Sequence, residues 1–367
     1  FYSIIYQRLE NDMKEDKINI NDMCLEELED YIDRLGEKKF HAKQIYKWIH
    51  KIGVKTFDEM TDISKSLRDK LKQNTYILDM QVIECQKSKK DGTMKFLIKL
   101  DDNAAIESVF MKYNYGNSLC VSTQVGCKMG CKFCASTKEG YERNLYASEI
   151  EGQVQTVQRY TGEKISNIVY MGIGEPLDNY DNVVKSIRII NHPMGLNIGA
   201  RHISLSTCGI VPNIYRLADE NIQCTLSISL HATTDEKRKE IMPVAYRYSI
   251  KELLDACKDY IKKTGRRISF EYALIYGKND SYEDAMMLVK LLRGMIAHVN
   301  LIPVNEIKEK DYKKATEKSI KEFMDTLNSC GIVTTVRREL GSDIDAACGQ
   351  LRKKYILIIS VVKNKKC

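Results

Sequence analysis

The chain has 367 residues, enough for roughly two to three domains and for a large core without disulfide bonds. Hydrophobic residues make up 43% and charged residues 29%, which is typical of a folded globular protein and excludes a largely disordered one. The longest apolar stretches, 1–6 and 355–362, are far shorter than the ~20 residues that span a bilayer. The start also lacks the basic and apolar segments of a signal peptide, so we expect a cytoplasmic protein without membrane association.

The net charge of +7, from 57 Lys and Arg against 50 Asp and Glu, makes the chain mildly basic. Such a charge permits an RNA partner through phosphate contacts but does not require one. Basic clusters at 262–267, 337–338 and 352–354 fit solvated helix faces equally well. Charge alone therefore leaves the partner open.

The first part of the chain, residues 1–78, is predicted to be an N-terminal helical accessory domain. Leu25, Leu28 and Ile32 recur at helical spacing, and shorter apolar stripes follow between residues 45 and 49 and near Leu67. Glycines close the first two stripes, as expected at helix ends. We therefore predict three short helices.

Residues 79–113 change to a pattern that predicts a small antiparallel strand extension, which we expect to link the helical domain to the main domain. Lys90-Asp91-Gly92 and Asp101-Asp102-Asn103 have the composition of turns. The predicted strands between them are Gln81–Glu84, Thr93–Leu100 and Ala105–Met111.

Predicted strands and helices alternate over the main domain, residues 114–355, and a basic tail follows at 356–367. This alternation indicates parallel strands joined by crossover helices, hence an α/β fold with an open or closed (β/α) barrel. Functional residues are expected in the loops at the carboxyl ends of its strands. The predicted strands are Leu119–Thr123, Ile165–Tyr170, His202–Ser206, Cys224–Ser229, Ile268–Leu274, His298–Ile302 and Ile332–Val336.

The most informative motif is Cys-x3-Cys-x2-Cys, formed by Cys127, Cys131 and Cys134 directly after the first barrel strand. In a reducing compartment this spacing indicates metal or redox chemistry and not a disulfide framework. Thiolates are preferred ligands of iron–sulfur clusters, and three of them leave one iron of a [4Fe–4S] cluster open to another ligand. A zinc site with a fourth protein ligand is the alternative.

Other candidate residues give weaker evidence of a functional role when each is considered alone. The loop Gly172–Pro176 combines glycines, which allow a ligand to approach the backbone, with Glu175, which can hold an ammonium group. Cys348 lies between small residues after the last predicted strand. By themselves, Cys348, Cys120 on the first barrel strand and Glu107 on the extension fit ordinary structural positions.

Together these motifs resemble the bacterial radical S-adenosylmethionine methyltransferases that modify C2 of adenine in 23S ribosomal RNA and in tRNA. The resemblance covers about residues 20–355 and implies a radical S-adenosylmethionine partial (β/α) barrel. The matching segments are CVSTQVGCKMGCKFCAS, RNLYASEIEGQV, MGIGEPLDNYDNV, RHISLSTCGIVP, SISLHA, RRISFEYALI, HVNLIPVN and RRELGSDIDAACGQL.

The resemblance implies a role for each matching position, and it implies one [4Fe–4S] cluster per chain and S-adenosylmethionine as cofactors. The expected cluster ligands are Cys127, Cys131 and Cys134. The expected S-adenosylmethionine contacts are Gly174, Glu175, Ser206, Ser229, Leu230, His231 and Asn305. The expected catalytic residues are Cys348, which carries the methyl group, Cys120, which releases the product, and Glu107, which accepts a proton.

C2 of adenine lies between two ring nitrogens and is electron-poor, so it cannot attack a methyl group as an ordinary nucleophile. The resemblance implies a radical route in which the methyl group on Cys348 loses hydrogen and adds to C2. Cys120 then attacks the sulfur of Cys348, which leaves a disulfide bond between them. The implied partners are 23S rRNA, tRNA and an electron donor such as flavodoxin or ferredoxin.

The sequence departs from the family pattern at Thr233, Ala245 and Glu306. Two other functions stay open at this point. One is methylation of C8 of adenine in 23S rRNA by an enzyme of the same superfamily. The other is a non-catalytic iron–sulfur or zinc protein that binds RNA.

Overall fold

The structure is a computed structural model that describes residues 17–137, 140–303, 313–344 and 351–352. These residues form a helical N-terminal module and a larger α/β unit, each with its own hydrophobic core. The α/β fold class expected from the sequence is confirmed. In the described part of the chain, no helix is both long and apolar enough to cross a membrane.

The N-terminal module contains a helix at each predicted apolar stripe. The helices are α1 (Leu25–Arg34), α2 (Phe40–Lys47) and α3 (Lys65–Asn74). Their apolar faces meet in one core, in which Ile32, Ile45 and Leu67 are fully buried. A π-helical turn over Trp48–Ile52 extends α2.

A short parallel pair that the sequence did not predict closes this module. Strands β1 (Ile18–Asn19) and β2 (Thr75–Tyr76) bring its two ends together. Two hydrogen bonds then join the module to the barrel at Ser148: its hydroxyl accepts from Asn19 Nδ2 at 3.1 Å, and its N–H donates to Asp22 Oδ1 at 2.9 Å.

The α/β unit is built on a ten-stranded sheet within the described residues, in the order β14-β13-β12-β11-β10-β9-β6-β5-β4-β3. The predicted strands are all present, with ends shifted by a few residues. Their bounds are β3 (Gln81–Lys87), β4 (Met94–Lys99), β5 (Ala105–Tyr113), β6 (Gly116–Cys120), β9 (Asn167–Tyr170), β10 (Ile203–Thr207), β11 (Thr225–Ser229), β12 (Ile268–Leu274), β13 (Ala297–Pro303) and β14 (Val333–Val336). The sequence did not predict a separate hairpin of β7 (Gln124–Gly126) and β8 (Tyr141–Asn144).

The strands of the predicted extension continue the barrel sheet. β3, β4 and β5 pair antiparallel with one another, and β5 pairs antiparallel with β6, the first parallel strand of the barrel. Residues of the extension and of the barrel therefore share one face of one sheet.

Helices cover the outer face of the parallel strands, and the main core lies between the two layers. On β10, Ile203 and Leu205 are fully buried, whereas Ser204 and Ser206 are half-buried. This alternation places apolar side chains against the helices and polar ones inside the barrel. The helices are α4 (Ala147–Thr161), α5 (Tyr180–Asn191), α6 (Val211–Asp219), α7 (Asp235–Ile241), α8 (Ile250–Thr264), α9 (Tyr282–Leu292) and α10 (Glu317–Ser329).

Candidate active site

A cavity of about 320 Å³, the cofactor cavity, opens at the carboxyl ends of the parallel strands. This is the edge at which barrel enzymes place their functional loops. The predicted site residues in its wall are Cys127, Cys131, Cys134, Gly174, Glu175, Ser206, Ser229 and His231. Leu230 is not in the wall: its side chain is buried, and its N–H donates to the carbonyl of Glu271 at 3.1 Å.

The three cysteines lie on a loop after β7 that backbone hydrogen bonds hold in place. The N–H of Cys127 donates to Gly140 O at 3.0 Å, and that of Lys132 donates to Ile241 O at 2.9 Å. Gly126 has a φ of 78°, and a Cβ there would lie 1.8 Å from Gly140 O, so only glycine fits. The loop geometry therefore depends on the residue just before the motif.

Burial raises the pKa of Cys127 to about 12. Burial also raises the pKa of Cys131, and the neighbouring thiols of Cys134 and Cys127 add to this effect. Buried thiols such as those of Cys127 and Cys131 become thiolates readily only when positive charge binds beside them, as in an iron–sulfur cluster. Among the described residues, no three His, Cys, Asp or Glu side chains converge on a site for a single metal ion.

Glu175 is held against the cavity wall by neutral backbone donors. Its Oε1 accepts the N–H of Leu177 at 3.0 Å, and its Oε2 accepts that of Cys208 at 2.7 Å. Burial raises the pKa of Glu175. A buried carboxylate with this arrangement favours a cationic ligand, such as the ammonium group of an amino acid.

The glycine before Glu175 allows the loop to pass close to the barrel wall. Gly174 has a φ of 110°, and a Cβ there would lie 2.7 Å from the Cβ of Gln124. Gln124 is fully buried, and its Oε1 accepts the N–H of Glu175 at 2.9 Å. Sequence reasoning missed Gln124, although it lies between Cys120 and Cys127 in a matched segment.

His231 enters the cavity from a left-handed backbone conformation, with a φ of 57°. Its Nδ1 accepts the N–H of Ala273 at 2.9 Å, which assigns the ring proton to Nε2. Burial, with a further contribution from Arg238, lowers the pKa of His231 to about 3. The ring is therefore a neutral hydrogen-bond donor near pH 7.

Arg238, which the sequence did not single out, is a buried charge behind the cavity. Its Nη2 donates to Cys208 O at 2.6 Å and to Ser229 O at 3.3 Å, and its Nε donates to Leu230 O at 3.2 Å. The side chain thus ties the loops after β10 and β11 together. Arg238 lies in a charged helical segment, DEKRKE, which has the composition of a solvent-exposed helix face. Nothing in the sequence therefore indicates that this arginine is buried.

Glu107 and Cys120 do not line the cofactor cavity but lie on the adjoining meander face, which we define as Lys95, Glu107, Val109 and Cys120. Cys120 pairs with Val109 across β5 and β6, and Glu107 lies two residues from Val109 on the same strand. Since alternate residues of a strand point to one face, Glu107 and Cys120 share that face. Both side chains are buried.

Both carboxylate oxygens of Glu107 have donors. Lys95 Nζ lies 2.9 Å from Oε2, and the N–H of Arg352 donates to Oε1 at 2.6 Å. Cys348 and Asn305 lie outside the described residues, as does the departure at Glu306. Leu351, just before Arg352, packs against Leu97 and Ala105.

Ser122 connects the meander face to the cofactor cavity. Its hydroxyl donates to the carbonyl of Glu107 at 2.6 Å and accepts the N–H of Ile173 at 3.0 Å. Ile173 belongs to the loop that carries Gly174. The two groups of candidate residues are therefore joined by direct hydrogen bonds.

The described departures from the family pattern are accommodated by local contacts. The hydroxyl of Thr233 donates to Asp284 Oδ1 at 2.9 Å, and Lys237 pairs with the same carboxylate at 2.6 Å. Ala245 is buried in a short helical turn, Pro243–Tyr246.

Comparison with known proteins agrees with this architecture. Residues 121–289 match the model of the radical SAM superfamily, where SAM denotes S-adenosylmethionine. A crystal structure of a radical SAM methyltransferase from Sphaerobacter thermophilus is 40% identical, covers 91% of this chain and 98% of its own, and superposes with a TM-score of 0.85. The protein therefore has the fold of a radical S-adenosylmethionine enzyme, a class that works with a [4Fe–4S] cluster.

The N-terminal module gives the family. Residues 18–77 match the ribosomal RNA large subunit methyltransferase N-terminal domain. A probable dual-specificity RNA methyltransferase RlmN of Clostridium perfringens (strain SM101 / Type A) is 60% identical over 338 residues, which are 92% of this chain and 97% of the relative. A relative of the same name from Alkaliphilus oremlandii is 56% identical over 341 residues. The chain belongs to the RlmN family of radical S-adenosylmethionine RNA methyltransferases.

Proposed function

We propose that this protein methylates C2 of an adenosine in 23S rRNA and in tRNA, through a methyl group carried on Cys348. The observation that supports this most is the direct hydrogen-bonded link, through Ser122, between the cofactor cavity and a face that holds a carboxylate and a thiol. Methyl transfer through a cysteine needs a carboxylate that accepts the C2 proton and a thiol that releases the product, both close to the cofactors. The name of the relatives, dual-specificity RNA methyltransferase, supports RNA as the substrate.

The cofactor cavity fits the two cofactors of the class. Cys127, Cys131 and Cys134 would hold three irons of the cluster, and Glu175 would hold the ammonium group of S-adenosylmethionine. When bound, these cofactors supply the methyl group, the radical that removes a hydrogen atom from it, and the acceptor for one electron released later. Gly174, Ser206, Ser229 and His231 would line the S-adenosylmethionine site, with Leu230 behind its wall and Asn305 as a further contact.

The residues of the chain perform the remaining steps. The methylene carbon on Cys348 forms a bond to C2, and Glu107 then accepts the C2 proton as a general base. Loss of this proton and of one electron restores the aromatic ring. The Cys120 thiolate next attacks the Cys348 sulfur: an S–S bond forms, the C–S bond breaks, and its electron pair stays on the exocyclic carbon. That carbon takes up a proton and becomes the product methyl group.

Each turnover leaves a disulfide bond between Cys120 and Cys348, so a two-electron reductant must restore both thiols. A one-electron donor such as flavodoxin or ferredoxin would start the radical step. The target base must leave its stack to reach a site inside the barrel, so we propose that RNA binds with the adenosine extruded. Folded rRNA and tRNA as substrates also imply a cytoplasmic location.

The proposal is tested by analysis of the product. The protein is reconstituted anaerobically and incubated with S-adenosylmethionine, reductant and either protein-free 23S rRNA or tRNA. We expect 2-methyladenosine in nucleoside digests by mass spectrometry against standards. 8-Methyladenosine would instead assign the C8 reaction, and absence of any methylated adenosine with both RNAs would contradict the proposal.

Two variants assign the product to the proposed route. Cys348→Ala should form no methyladenosine. Cys257→Ala, which changes a buried cysteine on α8 away from the cavity wall, should retain activity. Peptide mass spectrometry of the unaltered protein should show one added methyl group on Cys348. Full methylation of RNA by Cys348→Ala would contradict the route.

A further inference from the structure

Lys95 is a buried lysine to which neither the family pattern nor the proposed mechanism assigns a role. It lies on β4, and its side chain is fully buried. Its Nζ is 2.9 Å from Oε2 of Glu107, which is itself only 3% exposed. The two side chains form an ion pair on the sheet face that also carries Cys120.

The sheet register fixes this ion pair. Leu97 pairs with Glu107 and Lys95 pairs with Val109 across β4 and β5, so the lysine sits diagonally opposite the carboxylate. Diagonal neighbours on one face are within reach of long side chains. A one-residue slip would turn Lys95 to the opposite face, so the pairing depends on the meander as a whole.

Stability alone is a weak explanation for a buried ion pair. Removing two charges from water costs so much that well-packed apolar residues often serve equally well at such positions. A general base, in contrast, must hold an oxygen in the direction of the proton that it accepts. The ammonium group of Lys95, 2.9 Å from Oε2, holds Glu107 in one orientation.

The two donors on Glu107 also fix its orientation. Lys95 binds Oε2 while the N–H of Arg352 binds Oε1, so the carboxylate plane is held from two sides. Arg352 is four residues after Cys348 in the chain, and thus the same carboxylate anchors the segment that follows the methyl-carrying cysteine.

We propose that Lys95 is the positioning residue of Glu107: its ammonium group holds the carboxylate in the orientation that takes the C2 proton. This inference rests on the proposed function, in which Glu107 is that base. The proton passes from C2 to a Glu107 oxygen and leaves a neutral acid beside the ammonium group. The proton passes to solvent before the next turnover.

The experiment compares Lys95→Met, Lys95→Arg and Glu107→Gln in the reconstituted full chain. Lys99→Met is the matched control, because Lys99 is a partly exposed lysine on the same strand. Three quantities are measured for each variant. They are the fraction of Cys348 that carries a methyl group, the rate of RNA methylation, and the amount of RNA that stays covalently attached to the protein on a denaturing gel under reducing conditions.

We expect Lys95→Met to retain the methyl group on Cys348 but to methylate RNA about 100-fold more slowly, the lower range for loss of a general base. It should accumulate covalently attached RNA, as Glu107→Gln should, because the proton at C2 is not removed. Lys95→Arg keeps the positive charge and should recover to within about tenfold of the unaltered rate. Lys99→Met should match the unaltered protein in all three measurements.

A stability measurement separates folding from catalysis. Lys95→Met removes the cation beside a buried carboxylate, so it should lower the melting temperature, and adding Glu107→Gln should restore most of the loss. The double variant should remain inactive in RNA methylation. If Lys95→Met does not fold, Lys95→Gln takes its place in the same comparison.

Two results would overturn the role of Lys95 while leaving the proposed function intact. One is turnover by a folded Lys95→Met within a few-fold of the unaltered protein while Glu107→Gln is blocked. The other is equal loss of Cys348 methylation and RNA methylation, which indicates a general structural defect. Normal turnover by Glu107→Gln would instead remove the proposed base, and with it this inference.

Discussion

The cofactor cavity and the meander face lie side by side in one barrel, yet they hold their carboxylates by opposite means. Glu175 in the cavity rests on the backbone N–H groups of Leu177 and Cys208, which are neutral donors. Glu107 on the meander face has one neutral donor, the N–H of Arg352, but it also has the ammonium group of Lys95. The first carboxylate is prepared for a cation from outside, and the second already has one.

This difference matches the two proposed tasks. A carboxylate that must bind the ammonium group of a ligand binds it most strongly if no cation of the protein already pairs with that carboxylate. A carboxylate that acts as the base can be held in place by a cation of the protein itself. The raised pKa of Glu175, caused by burial, fits the first task. Substitutions in the cavity should therefore prevent the first steps, which need the cofactors. Substitutions on the meander face should block the last steps, after the RNA has become attached.

The largest effect is expected from the loss of a cluster ligand. Cys131→Ala removes one of three thiolates, so the anaerobically reconstituted protein should lose its roughly four irons per chain. It should form neither 5′-deoxyadenosine nor methylated RNA. Iron analysis and product assay check this, with Cys257→Ala as control. Stoichiometric zinc without iron in the unaltered protein would contradict the assignment.

The next largest effect is expected at Gly174. An alanine there would bring Cβ to 2.7 Å from Gln124 Cβ in a left-handed backbone conformation, so the loop with Glu175 must move. Affinity for S-adenosylmethionine should fall at least about tenfold, or roughly 1.4 kcal/mol. Equilibrium binding to the anaerobic protein measures this.

The control for this change is Gly162→Ala. Gly162 also has a positive φ, of 69°, but no atom lies within 4 Å of its added Cβ. It should cost about 1 kcal/mol of stability and leave binding unchanged. Equal loss of binding in both variants would show that the close approach at Gly174 does not matter.

A moderate effect is expected at Arg238. Lys in its place cannot reach the carbonyls of Cys208, Ser229 and Leu230 together, so the free energy of unfolding should fall by about 2 kcal/mol. Chemical denaturation measures it, and Arg267→Lys on the exposed surface provides the control. An unchanged unfolding free energy would mean that the two loops do not depend on this guanidinium group.

The smallest expected effect is a pH dependence of cofactor binding. Because burial raises the pKa of Glu175, this carboxyl takes up a proton at a higher pH than an ordinary glutamate. The ammonium ligand binds the ionised form, so affinity is complete at high pH and should fall several-fold as pH drops through that raised pKa. Glu175→Gln should bind more weakly and lose this dependence. An unchanged pH dependence in Glu175→Gln would assign it to another group.

The sequence predicted the barrel well, because alternating apolar strands and amphipathic helices report local burial directly. The sequence also identified most of the candidate residues that line the cavity, because the three cysteines and the loop at Gly174 are short motifs at strand ends. It missed β1 and β2, because strands of two residues carry no period. It also missed Lys95, whose partner is set by the register between two strands, a property that no short segment of sequence contains.

The most direct test of the account is the identity of the covalent complex formed by Cys120→Ala. If Cys120 only releases the product, this variant should accumulate protein joined to RNA by a methylene bridge between the sulfur of Cys348 and C2 of an adenosine. The bridge is a thioether, so reductants should leave it intact and nuclease should trim it to a modified peptide for mass spectrometry. The same treatment of Cys257→Ala should yield no complex. A bridge to C8, or normal repeated turnover by Cys120→Ala without any complex, would contradict the account.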